Sequence, residues 1–139
     1  MRLALGIALV AFASTAAACT ASVSPAPEPA PVVVTSTGTL TVDWSINGTK
    51  DPNQCNQGAA AAIQITVTDL NSNPVGTFEQ SCTAFATSIT LEAGQYAAQA
   101  RLIDAVGTPR TTTIDINPFT ILGNDELTTP IDFSASSFF

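Results

Sequence analysis

From Gly38 to the end of the chain, apolar and polar residues take turns in a series of short runs. Successive side chains of an extended strand point to opposite faces, so a period of two marks strands with one face in a core. "TLTVDWSI" sets Leu40, Val42, Trp44 and Ile46 on one face, and "AIQITVTD" does the same with Ile63, Ile65 and Val67. "VGTFEQS" follows, then "FATSITL" with Phe85, Thr87, Ile89 and Leu91 in phase, then "YAAQARL" with Tyr96, Ala98, Ala100 and Leu102. "TTTIDI" aligns Thr112, Ile114 and Ile116, and "PIDFSASSFF" aligns Ile131, Phe133 and Ala135. Turn chemistry separates the runs: "NGTKDPN", "NSNPVG", "EAG", "DAVG", "INP" and "LGNDE". Strands with a single apolar face need a second layer to cover it, and two sheets packed face to face supply one. The pattern therefore predicts an all-β fold over residues 38–139, a single Greek-key β-sandwich of about seven antiparallel strands.

The pattern changes before Gly38. In "MRLALGIALVAFASTAAAC" the cation Arg2 precedes an apolar run from Leu3 to Phe12, and small residues fill Ala13 to Ala18. That order is the one found in secretory signals, so residues 1–18 are expected to direct export. The strongly apolar part falls short of the roughly 20 residues that cross a bilayer. After it, "TASVSPAPEPAPVVVTSTG" places proline at 25, 27, 29 and 31, which fixes φ at alternate residues and excludes helix. Residues 19–37 are thus expected to form an extended linker. At roughly 3.1 Å per residue, Thr20 to Thr37 would span about 55 Å.

Three cysteines lie in the chain, at 19, 55 and 82. "Ala16-Ala17-Ala18" fits the A-x-A rule of ordinary signal cleavage, while "AAAC" resembles the lipobox of bacterial lipoproteins. The resemblance implies that Cys19 receives a lipid and becomes the first residue of the mature chain. Parity argues the same way: in an oxidising compartment a lipidated Cys19 leaves Cys55 and Cys82 as an even pair, whereas a free Cys19 leaves one reactive thiol over. A bridge between Cys55 and Cys82 is expected. A second resemblance concerns the fold. "LEAGQY", with Leu91, Gly94 and Tyr96, resembles the tyrosine corner of Greek-key sandwiches, and "YAAQARLIDAVG" is similar to a run found in bacterial Ig-like and prealbumin-like sandwich modules. It covers residues 89 to 107 and implies a fold, with no activity attached.

Composition narrows the chemistry. Histidine is absent, which removes Ser/His and Cys/His nucleophile pairs and the commonest general base. No catalytic residue, cofactor or metal site is expected, since two thiolates do not complete a tetrahedral shell. "DLNSNPVG" from Asp69 has the first oxygen positions of a calcium loop, but Pro74 stands where the turn glycine belongs and Gln80 where the bidentate Glu belongs, so a hairpin explains it better. Asp69 with Asp104, or Asp125 with Glu126, could meet at one end of a sandwich as solvated acidic loops. A formal net charge of −7, more negative still without Arg2, disfavours nucleic acid as a partner. The final "IDFSASSFF" is somewhat like the last strand of outer-membrane barrels, yet the predicted strands are too short and too broken by charged turns for one. The expectation is a non-catalytic protein of the bacterial envelope, bound by its N-terminal lipid to the outer membrane, that binds a protein or glycan partner or serves structurally; the alternative is a soluble periplasmic or secreted sandwich module acting as an adhesin or inhibitor-like binder.

Overall fold

The alternating runs become seven strands: β1 (Thr37–Ile46), β2 (Ala62–Asp69), β3 (Pro74–Ser81), β4 (Ala86–Glu92), β5 (Gly94–Ile103), β6 (Ile114–Ile121) and β7 (Glu126–Phe133). The computed structural model describes residues 35–139. The expected signal, Cys19 and the proline-rich stretch as far as residue 34 lie outside the described residues.

The strands form two sheets, one ordered β4-β1-β7 and the other β3-β2-β5-β6. The β4 strand returns to lie beside β1, and β5 returns beside β2, with the intervening connections passing between sheets. That closure gives the Greek-key character. The inward faces are those the period of two marks. Leu40, Val42, Trp44 and Ile46 of β1 and Ile63, Ile65 and Val67 of β2 are all at most 1% exposed. Ile89, Leu91, Ala98, Ala100, Leu102, Ile116, Ile121 and Phe133 complete the layer between the sheets. Outward positions of β1 carry Thr39, Thr41, Asp43 and Ser45, and Lys50 pairs with Asp43 at that surface.

Several details differ from the sequence expectation. Four strand pairings are antiparallel, but β1 and β7 run parallel, from Thr39 opposite Glu126 to Ile46 opposite Phe133. A parallel pair cannot be closed by a hairpin, so these strands are joined through all the others. A short helix, α1 (Pro52–Gln57), stands where only loop was expected. Its start is local chemistry: the Asp51 carboxylate accepts the Asn53 N–H at 2.9 Å, and Pro52 supplies a helical φ where no amide donor is needed.

"INP" is not a turn. Pro118 lies inside β6, where the register jumps from Tyr96 opposite Phe119 to Ala98 opposite Ile116. An edge strand accommodates such a bulge because one side of its backbone needs no partner. At the other end of β6 it is Thr111, not Thr112, that is buried, and its hydroxyl oxygen accepts the Leu102 N–H at 3.0 Å. A side chain here replaces a ladder bond, which breaks the alternation that would have placed Thr112 in phase with Ile114. Phe85 precedes β4 in a left-handed conformation (φ 55°), and its carbonyl accepts the Trp44 N–H at 3.0 Å. Ala135 does not extend β7 and is exposed; it opens a 3-10 turn, Ala135–Ser137, after which Phe138 bridges to Thr111.

Candidate functional site

Cys55 projects inward from α1, and Cys82 begins the 3-10 turn after β3. Their Cα atoms are 6.0 Å apart and a disulfide joins them, closing a separation of 27 residues. The bridge fastens α1, which contributes little apolar surface of its own, to the end of the larger sheet. The Trp44 indole N–H donates to the Cys82 carbonyl at 3.0 Å, so the largest core side chain is satisfied by the bridge's own backbone. Its ring lies 6.4 Å from that of Phe85, tilted by 44°.

At the opposite end, β4 passes to β5 through Ala93. The Tyr96 hydroxyl donates to the Glu92 carbonyl at 2.8 Å, and the Tyr96 ring packs 6.0 Å from that of Phe119. Gly94 makes this possible by close approach: a Cβ there would sit 3.2 Å from the Tyr96 hydroxyl oxygen. Leu91, on the strand below, is buried beneath the crossover. Burial, and secondarily the Glu92 charge, hold the Tyr96 phenol above its usual pKa. These residues organise the fold and offer no reactive group.

The two aspartates expected to meet stand far apart. Asp69 pairs with Tyr96 and Ala62 with Ile103, so Asp69 and Asp104 lie at opposite ends of β2, about 23 Å apart at roughly 3.3 Å per residue. They do not meet. Each closes its own hairpin. Asp69 accepts from the Asn71 and Asn73 N–H groups and from the Asn73 amide at 2.8, 2.9 and 2.7 Å. Asp104 accepts from Val106 and Thr108 at 3.0 and 2.8 Å. Hydrogen bonds to the ionised form, from the Asn73 side chain above all in one and the Thr108 N–H in the other, hold both carboxyls below the usual range. Among the described residues no cluster of three or more His, Cys, Asp or Glu is placed to hold a metal ion.

The outer face of the four-stranded sheet is open to solvent. A polar ladder crosses it: Gln64 donates to Glu79 at 2.8 Å and accepts twice from Arg101, at 2.9 and 2.6 Å, and Gln99 donates to Asp115 at 2.8 Å. Beside the β6 bulge this face sinks into a groove of about 430 Å³ whose polar lining includes Thr66, Thr68, Ser72, Gln99, Asp115 and Asn117. The hydroxyls of Thr66, Thr68 and Ser72 have no protein partner among the described residues, so hydrogen-bonding capacity remains there for a ligand. Sequence reasoning did not find this groove, because it depends on the register jump opposite Ala97, and no local signal apart from Pro118 marks it.

No protein-family model matches the chain, and no curated protein matches it. Among solved structures, the Bacillus anthracis TIE protein superposes with a TM-score of 0.49 at 13% identity, over 71% of this chain and 17% of that one. The minor pilin GBS52 of the gram-positive pathogen Streptococcus agalactiae superposes with a TM-score of 0.47 at 15% identity, over 73% of this chain and 45% of that one. The chain thus spans less than half the length of either.

Proposed function

We propose that this is a non-catalytic protein of the bacterial cell envelope, exported and lipidated at Cys19. Its proline-rich segment holds a small β-sandwich away from the outer membrane, where the sheet's polar groove meets a protein or glycan partner. The observation that carries this reading is the bridge between Cys55 and Cys82. With those two paired, Cys19 is the odd cysteine of an exported chain, and thioether formation in "AAAC" is the chemistry that disposes of its thiol. The absence of histidine from the sequence supports the non-catalytic reading, as does the use of the hairpin aspartates to cap backbone N–H groups.

Replacement of Cys19 by Ser tests the anchor. The wild-type protein is expected in the membrane fraction with the intact mass of a cleaved, lipid-bearing chain, and Cys19→Ser in the soluble fraction or as uncleaved precursor. Identical membrane partition and mature mass for the two would overturn the anchor. A wild-type mass without lipid would assign the sandwich to the soluble secreted class.

A further inference from the structure

A second concavity lies at the disulfide end, between α1, the turn after β1 and the segment following β7. It is an open hollow of about 200 Å³ lined by Asn47, Gln54, Gln57, Arg110, Phe138 and Phe139, among others. Its walls are held from several directions. The bridge fixes α1, which leaves Gln54 and Gln57, three residues apart and so neighbours on the helix surface, beside the opening. The Phe138 ring lies so close against Gly58 that a Cβ at that position would collide with it. The same stretch is tied down by bonds from Thr112 N–H to the Ser137 carbonyl, 2.8 Å, and from Phe139 N–H to the Arg110 carbonyl, 3.2 Å.

Arg110 is the cation of this cavity. Its Nε donates to the Gly58 carbonyl at 3.2 Å, which orients the guanidinium, but neither Nη group has an acceptor among the described residues. No carboxylate lies within ion-pair distance of it there, in contrast to Lys50, which has Asp43. Asp104 acts on Arg110 only through space, and its Oδ1 is already engaged by Val106 and Thr108. Gln54 accepts from the Asn47 side-chain amide at 3.2 Å, so its own amide N–H groups remain to donate. A planar cation with free donors, two glutamine amides and the apolar rings of Phe138 and Phe139 stand together. A carboxylate is the anion that matches a guanidinium fork.

We propose that this cavity is a binding site for a small free monocarboxylate with an apolar body, the carboxylate on Arg110 and the glutamine amides and the body against Phe138 and Phe139. Size sets the class. An enclosed cavity of about 150 Å³ holds a benzene ring, so an open hollow of about 200 Å³ has room for an aryl or branched-alkyl body. The carboxylates at the walls, Asp51 capping α1, Asp132 on the Gly48 N–H and Asp104, are already engaged by backbone donors, and repulsion from charges beyond about 8 Å is largely screened at physiological ionic strength. The site is independent of the anchor and of the groove on the larger sheet.

Amide chemical shifts of the ¹⁵N-labelled full chain, titrated with sodium benzoate, test the proposal. Saturable shifts are expected at Gln54, Gln57, Gly58 and Phe138, with benzyl alcohol weaker by about tenfold or more, the loss expected when charge-assisted hydrogen bonds are removed. Gln57→Glu, at an exposed position, is expected to fold and to weaken benzoate severalfold by placing a like charge at the mouth. Arg110→Gln should abolish binding, and Arg110→Lys should restore some of it. Shifts that never saturate, equal affinity for benzyl alcohol, or unaltered benzoate binding in a folded Gln57→Glu would each overturn it.

Discussion

Replacing Tyr96 by Phe removes one oxygen from the corner between β4 and β5 and nothing else. The lost bond, hydroxyl to Glu92 carbonyl at 2.8 Å, is neutral and largely shielded, since Tyr96 is only 8% exposed. A typical bond of this kind contributes about 1 kcal/mol net, and stranding the Glu92 carbonyl in a partly dry crossover adds to that, so the expected cost is about 1 to 2 kcal/mol. For a domain of this size that lowers the melting temperature by roughly 5 to 10 °C. Gly94 provides an internal control. A methyl at 94 would press on the Tyr96 hydroxyl at 3.2 Å, whereas the nearest remaining atom in Tyr96→Phe is a ring carbon at 3.4 Å. Gly94→Ala should therefore cost less in the Phe background, with a coupling of about 0.5 kcal/mol or more. The two proteins should also diverge in alkali. Burial, then Glu92, raises the folded pKa of Tyr96 above that of the unfolded chain. Its contribution is therefore complete below the unfolded value of about 10 and is lost as pH rises through the folded one, a limb that Tyr96→Phe lacks. Thermal melts of the four proteins, repeated at rising pH, provide the assay. A Phe variant melting with wild type, or a Gly94→Ala cost equal in both backgrounds, would show that the hydroxyl does not hold the corner.

Reduction of the Cys55–Cys82 bridge, whose ends are separated by 27 residues in sequence, should lower stability by about 3.5 kcal/mol, read as a shift in urea midpoint between oxidised and reduced protein; coincident curves would refute this. Trp44→Phe leaves the buried Cys82 carbonyl without its 3.0 Å donor and opens space beside Phe85, and should cost about 2 to 4 kcal/mol by chemical denaturation, a loss below about 1 kcal/mol being incompatible with the geometry. Asp69→Ala should melt below wild type near neutral pH, because hydrogen bonds led by the Asn73 side chain hold the folded carboxyl below its unfolded pKa. That contribution is present above the unfolded value of about 3.9 and lost as pH falls through the folded one, so the gap between the two melting temperatures should narrow as the solution is acidified below that range, and a constant gap would refute the assignment.

The inward faces of β1, β2 and β5 were legible because each strand is half-buried and nothing interrupts its alternation: Leu40 to Ile46, Ile63 to Val67 and Ala98 to Leu102 all sit where the period places them. Legibility fails wherever a non-local bond substitutes for the ladder. Thr111 is buried because its hydroxyl accepts from Leu102, and a threonine among "TTT" carries no mark of that. Pro118 is ambiguous by nature, since proline signals a turn in isolation and a bulge on an edge strand. The parallel seam between β1 and β7 brings together residues from the two ends of the domain and has no local signature. Of the site residues, Tyr96 and Gly94 are close in sequence, so their motif is visible. The Arg110 cavity gathers α1, the β1 turn and the stretch after β7, and no pattern in the chain announces that meeting.

The central position of β1 has a mechanical consequence. It is flanked by β4, from Thr37 opposite Glu92 to Asp43 opposite Ala86, and by β7, from Thr39 opposite Glu126 to Ile46 opposite Phe133. Tension entering through residue 37 and resisted beyond Phe133 runs along the axes of two parallel neighbours, drawing one past the other. The hydrogen bonds of the seam then bear load together in shear, where a hairpin pulled at its open end would lose its bonds in succession. The β4 ladder must slide in the same event, so a tug on the N-terminal side of the sandwich meets both seams at once.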